Sequence, residues 1–170
     1  MKTLIAYFSR AGQNYAGGSI VNLPVGNTQV VAEKIAGLIP GAMLFHIETA
    51  EPYSTDYMTC TEEAKQELRE KARPALKADF DPSEFDTIIL GYPNWWGTMP
   101  MVVRTWLDAH NFEGKRIVPF CTHEGSGMGH SESDLRKALP GATIAQGTPI
   151  HGSEAASADR EAARIAALAQ

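Results

Sequence analysis

The chain is poor in cysteine. Cys60 and Cys121 are the two it has, far apart and outside any CxxC pair. No disulfide framework is expected, and a reducing compartment, the cytoplasm, is the simpler setting. Long apolar runs are also missing. The first apolar stretch, residues 3–8, is cut off by Arg10, too soon for a signal peptide. No segment approaches the ~18 apolar residues a membrane span needs. Positive charge is in deficit: 15 Lys and Arg stand against 20 Asp and Glu, a formal net charge of −5. Nucleic acid and anionic membranes want a basic face, so neither is an expected partner. Without internal repeats or low-complexity stretches, the 170 residues are expected to form one domain, 1–170.

What the chain does have is alternation. Short apolar runs at 3–8, 43–47, 87–91, 116–121 and 142–148 read as strands. Helix-length amphipathic segments separate them: one from Thr28, with Val31, Ile35 and Leu38 on a face and Pro40-Gly41 as the stop; a polar one at 61–72; one after Pro100, with Val103, Trp106, Leu107 and His110; and two more at 133–139 and 153–168. Strict alternation predicts an α/β fold, a doubly wound parallel sheet with helices on both faces. One residue resists this pattern. Pro119 lies inside the fourth predicted strand, where it removes a ladder donor. Either the ladder ends near it or the strand lies elsewhere.

Ligands of such sheets bind beyond the carboxyl ends of the strands, where strand order reverses. Three loops there are unusual. The first is Ser9-Arg10-Ala11-Gly12, followed by a detour over residues 13–25 and then Gly26-Asn27-Thr28 at a helix start. Small hydroxyl residues and glycines there suit a phosphate, because helix N-terminal amides point outward at the positive end of the dipole. The pattern is neither GxxxxGK[ST] nor GxGxxG, which counts against a nucleoside triphosphatase or a dinucleotide fold. An ordinary glycine-rich turn is the alternative.

The second loop is Pro93-Asn94-Trp95-Trp96-Gly97-Thr98-Met99. Adjacent indoles on a loop stiffened by prolines can stack on a planar ligand; the alternative is that one of them only covers the sheet end. The third is Thr122-His123-Glu124-Gly125-Ser126-Gly127, whose backbone can meet the edge of a heterocycle. Ser126 lacks the preceding glycine of a nucleophile elbow, since Glu124 stands there. Cys121, His123 and His130 lack a second ligand pair, so no metal site is expected. Glu124 is expected to face solvent. His123 either donates to a ligand or bonds to backbone or water.

Taken together and in this order, the three loops resemble those of the flavodoxin family. Ser9 to Gly12 with Gly26-Asn27-Thr28 is similar to that family's Ser/Thr-x-Thr-Gly-x-Thr phosphate loop, split here by an insertion. Pro93-Asn94-Trp95-Trp96-Gly97 resembles its aromatic loop. Residues Thr122 to Gly127 resemble the loop at the pyrimidine edge of its flavin. The resemblance implies a five-stranded sheet of order 2-1-3-4-5 and non-covalently bound FMN. It also implies a phosphate held by Ser9, Asn27 and Thr28 with backbone of Arg10 and Ala11. Three functions stay open: an electron carrier for a redox partner protein, an NAD(P)H-dependent reductase of a quinone-type acceptor, and a non-redox binding module. Room over the flavin separates the first two: Trp95 and Trp96 stacked on both faces exclude a nicotinamide, and an open face admits one. The detour, with Tyr15 and Leu23, is a candidate wall or lid, and Tyr53 and Tyr57 are candidate pocket walls, with surface packing as their alternative.

Overall fold

A computed structural model describes residues 2–170. β1 (Thr3–Tyr7) is buried along its whole length. An inserted hairpin follows, β2 (Gly12–Ala16) and β3 (Ser19–Leu23), and then α1 (Asn27–Ala36). β4 (Met43–His46), α2 (Tyr57–Glu70), β5 (Thr87–Pro93) and α3 (Met101–Ala109) come next. The chain closes with β6 (Arg116–His123), α4 (Ser131–Ala138), β7 (Thr143–Ile144), β8 (Thr148–His151), a short 3-10 helix (Gly152–Ser157) and α5 (Asp159–Leu168).

The main sheet is all parallel, in the order β4-β1-β5-β6, with β7 and β8 both on the outer side of β6. Counting parallel strands along the chain, with β7 and β8 as one, this is the predicted order 2-1-3-4-5. The continuous apolar run Ile88-Ile89-Leu90 is fully buried, because a parallel sheet is covered on both faces. Val31, Ala32 and Ile35 of α1 and Ala162 and Ile165 of α5 cover one face. Val102, Val103, Trp106 and Leu107 of α3 and Leu135 of α4 cover the other.

The sheet has six strands where five were expected, because the last one is broken. Arg116 faces Thr143 while Phe120 faces Thr148, so the edge chain spends five residues where β6 spends four. The extra residue falls beside Pro119. The Ile117 carbonyl accepts from Ala145 on the outer side of β6, whereas Thr122 bonds toward β5 through Asn94. Backbone groups alternate in direction along a strand, so the missing N–H of Pro119 points outward, into the break. The proline therefore costs the sheet no hydrogen bond.

Other limits also moved. Leu38 lies beyond α1 and is exposed, and Ile39 is buried in its place. The second helix begins at Tyr57 rather than Thr61, because Asp56 caps it by accepting from the Thr59 amide at 2.9 Å. His110 ends α3 rather than lying on its face. The closing helix is interrupted, with its first turns wound as 3-10. The detour is no irregular loop: Gly17 and Gly18, at φ of 63° and 91°, make a two-residue turn between paired strands. Positive φ at both positions matches the strand twist and is open to glycine at little cost.

Candidate functional site

The loops after β1, β5 and β6 meet at one end of the sheet. The two halves of the first loop touch although the hairpin separates them in sequence. Ser9 Oγ accepts from the Gln29 amide at 3.0 Å and so caps α1, whose own N-cap, Gly26, has no side chain. A β-carbon on Gly26 would fall on Ser9 Oγ and on the Arg10 carbonyl oxygen, so glycine is needed there for space. The amides of Asn27 and Thr28, the first of α1, have no acceptor within the helix. Thr28 Oγ1 and Thr122 Oγ1, both buried, lie 2.8 Å apart and tie the first loop to the third. Arg10 turns its guanidinium away, donating to the carbonyls of Gln13 and Thr55.

Asn94 joins the second and third loops. Its amide donates to the Thr122 carbonyl at 2.8 Å, its Nδ2 donates to the Gly127 carbonyl at 2.9 Å, and its Oδ1 accepts from the Gly97 amide. The Gly97 carbonyl in turn accepts from His130 at 2.7 Å. Trp95 is half-buried and stands edge-on to Phe8 and Tyr53, each at a centroid distance of 5.1 Å. Trp96 goes elsewhere. Its backbone adopts φ 58°, its indole donates to the Thr61 carbonyl of α2, and the Lys65 ammonium lies 5.1 Å from the ring. Trp96 therefore does not join Trp95 in lining the space between the three loops.

These loops enclose a cavity of about 250 Å³. Of the residues singled out in the sequence, Arg10, Asn27 and Thr28 line it from the first loop, Pro93, Asn94 and Trp95 from the second, and Thr122, His123, Glu124 and Ser126 from the third. Ser9 and Ala11 line an adjoining cavity of about 530 Å³ that Phe8 and Tyr53 also wall. Trp96 lines a third, largely apolar one of about 350 Å³, which shares Tyr57, Asn94 and Trp95 with the first. Gly97, Thr98, Met99, Gly125 and Gly127 line none of them. Thr98 donates to Asp134 at 2.6 Å, and Met99 is buried in the core; both serve to anchor the loop. Asn14 and Gly152 also line the first cavity and escaped the sequence reading. A Gly-Gly step between two five-residue strands was the available signal for Asn14; Gly152 follows the broken last strand, whose limits were not legible.

Glu124 does not face solvent. Its side chain is 16% exposed. Oε1 accepts from the Gly17 amide at 2.6 Å, and Oε2 accepts from Ser153 at 3.2 Å and lies 2.8 Å from His151 Nε2. His123 Nδ1 accepts from the Gly125 amide at 2.9 Å, and its ring centre is 5.5 Å from that of His151. Burial first, and then the charge of His151, hold His123 below the usual imidazole range, while Glu124 pulls the other way. Burial pushes the Cys60 thiol up to about 11, so the cysteine in the apolar cavity is a neutral wall and not a nucleophile. Among the described residues, no three His, Cys, Asp or Glu side chains are grouped to hold a metal, and no helix is long and apolar enough to cross a membrane.

The shift at His123 has a consequence for stability. The unfolded chain takes this proton more readily than the folded one. The contribution is therefore whole above the unfolded value of 6.5 and is lost as pH falls through the lower folded value. Between about pH 7 and pH 5 the melting temperature of the wild type is expected to fall more steeply than that of His123→Gln. Parallel curves for the two proteins would remove His123 as the cause.

The site agrees with what the chain resembles. A family model described as Flavodoxin matches residues 2–162. No curated protein matches. Among solved structures, a protein from Bacteroides eggerthii assigned as a flavoprotein is 29% identical, with 95% of this chain and 98% of that one covered and a TM-score of 0.72. One from Bacteroides uniformis, also assigned as a flavoprotein, is 27% identical over 94% of this chain and 96% of that one, with a TM-score of 0.72. A flavoprotein from Lactobacillus acidophilus, solved in complex with FMN, shares the fold at 22% identity and a TM-score of 0.66, over 90% and 95% of the two chains.

Proposed function

The chain belongs to the flavodoxin family of FMN proteins, and from that premise we propose that it binds FMN non-covalently in the loop cavity and passes electrons through it. The observation that carries this reading is the meeting of three chemistries around one space: open amides at the start of α1, an indole braced upright, and a loop rich in backbone groups. The donor set fits the group. Asn27 and Thr28 amides with the Asn27 side chain present hydrogen-bond donors to a phosphate at the positive end of α1, and Ser9 Oγ keeps that helix end in place. Trp95 offers a face to a planar ring, and its neighbours Phe8 and Tyr53 fix its angle. Thr122, His123 and Ser126 offer polar groups to the ring's edge.

FMN supplies the electron storage when bound; the protein supplies seating and electrostatics. The chain's own tasks follow from the geometry. Asn94 locks the second loop to the third, so a ring between them would meet walls that move together. Glu124 keeps a carboxylate near the cavity. A negative charge about 8 Å from a reduced ring contributes about 2 kcal/mol against the ring's anionic form at an effective dielectric near 20. With His123 Nδ1 accepting from the Gly125 amide, the neutral ring carries its proton on Nε2 and has a hydrogen bond to give there.

An absorbance spectrum of the purified protein tests the cofactor directly. Flavin bands that remain after gel filtration with FMN support the reading, and a colourless protein that stays so defeats it. The double variant Ser9→Ala, Thr28→Ala is expected to lower FMN affinity at least tenfold, about 1.4 kcal/mol. Unchanged affinity by fluorescence titration would move the phosphate seat elsewhere.

One observation favours a second reading, NAD(P)H-dependent reduction of a small quinone-type acceptor. The apolar cavity of about 350 Å³ shares Trp95, Asn94 and Tyr57 with the cofactor cavity, and that volume is in the range of small-molecule pockets. A pure carrier, which exchanges electrons with a partner protein, does not need it. NADH or NADPH oxidation with a soluble quinone, turning over well above free FMN, would decide for the reductase; a rate equal to free FMN would decide for the carrier.

A further inference from the structure

The inserted hairpin has few means of staying where it is. Two strands alone are marginal in water, and every residue of β2 and β3 is half-buried or exposed. Its position therefore depends on one ring contact, Tyr15 with Tyr57 of α2 at a centroid distance of 6.5 Å, and on polar anchors at its two ends. At the root, Arg10 Nε donates to the Gln13 carbonyl at 3.0 Å, Gln13 Oε1 accepts from the Tyr57 amide at 2.7 Å, and Asn14 Nδ2 donates to the Arg10 carbonyl at 2.8 Å. At the tip there is one anchor, the Gly17 amide on Glu124 Oε1. Between root and tip, Asn14 and Tyr15 line the cavity.

We propose that this hairpin is a strap over the cofactor cavity, buckled at its tip by Glu124, and that a flavin nucleotide enters and leaves when the buckle opens. The proposal rests on the flavin reading for its ligand, and on the hydrogen bonds alone for the buckle. The Gly17 amide belongs to the two-residue turn and is not used by the β2–β3 ladder, so bonding it to Glu124 takes nothing from the hairpin. The carboxylate is suited to the task because it only accepts. One oxygen takes the strap, while the other is held by Ser153 and His151, which fix it to the end of β8 and the 3-10 helix. Glu124 is thus a positioning residue, joining the strap to the last loop of the sheet across the mouth of the site. An amide at this position keeps the size but turns one acceptor into a donor: turned toward Gly17 it breaks the buckle, and turned the other way it leaves the Ser153 amide without an acceptor and holds His151 only through the tautomer that accepts at Nε2.

The test compares wild type, Glu124→Gln and a chain lacking residues 13–25, by stopped-flow FMN fluorescence and by backbone hydrogen exchange. In Glu124→Gln, FMN is expected to dissociate at least tenfold faster with association no slower, and amides 12–23 to exchange at least tenfold faster while β1, β5 and β6 stay as protected as before. The deletion is expected to release FMN at least as fast as Glu124→Gln. Dissociation at the wild-type rate, or a loss of affinity through slower association with the hairpin still protected, would overturn the strap. A wild type that takes up no FMN defeats the cofactor reading instead. Hydrogen exchange then decides the buckle alone: faster exchange at 12–23 in Glu124→Gln supports it, and unchanged protection overturns it.

Discussion

Gly26→Ala is expected to lose at least a hundredfold in FMN affinity, about 2.7 kcal/mol. The backbone is not the obstacle, since φ of −65° and ψ of 152° are open to alanine. The obstacle is the neighbour. The added carbon would fall on Ser9 Oγ and within 2.6 Å of the Arg10 carbonyl oxygen. A serine hydroxyl can rotate away, but the Arg10 carbonyl is held in the loop after β1 by Asn14 Nδ2, which donates to it at 2.8 Å. The first loop and α1 must then separate, which breaks the Ser9 cap on Gln29 and moves the open amides of Asn27 and Thr28 off their common target. The cap alone contributes about 1 kcal/mol; the rest is lost alignment. Fluorescence titration measures the affinity, and circular dichroism checks that the sheet survives. An alanine variant within threefold of wild type would mean that no ligand is seated there.

Trp106→Ala is expected to be the opposite kind of change, with a large effect on stability and little on the site. Trp106 is fully buried, with Phe112 and Phe45 at centroid distances of 5.3 and 5.7 Å. Its indole donates to the Phe80 carbonyl at 3.0 Å. Truncation leaves a cavity and an unpaired carbonyl, together about 4 to 5 kcal/mol. For a chain of this length that is roughly 10 to 15 °C in melting temperature. Trp106 touches none of the cavities at the loop end, so FMN affinity measured well below the melting point should stay within threefold of wild type. A shift of only a degree or two would show that the two aromatic neighbours collapse into the space.

The contrast between these two positions explains what the sequence made legible. Burial on both sheet faces writes itself into runs such as Ile88-Ile89-Leu90, so the alternation of parallel strands and helices is plain in the residues alone. Loop composition marked the site for a similar reason: Gly26, Asn27 and Thr28 have few reasons to stand together except at a helix start. Direction was not legible. Nothing in Trp95-Trp96 says that the second indole turns to α2, because a left-handed residue is set by tertiary contacts with Thr61 and Lys65. The inward course of Glu124 was equally hidden. Its partners, Gly17, Ser153 and His151, come from segments whose course depends on the insertion and on the broken edge strand. The break left one mark, Pro119, but a proline within one strand does not say that the strand beside it slips by a residue.

That slip has a further consequence for how the molecule behaves among its own copies. A straight outermost strand presents an evenly spaced row of free amides and carbonyls, on which another polypeptide can add itself. Here the border consists of a two-residue piece and a four-residue piece set out of step with each other. An incoming segment that matched one piece would miss the other. On that side the sheet therefore ends, and crowding the protein to high concentration gives no template for lengthening it into a fibre.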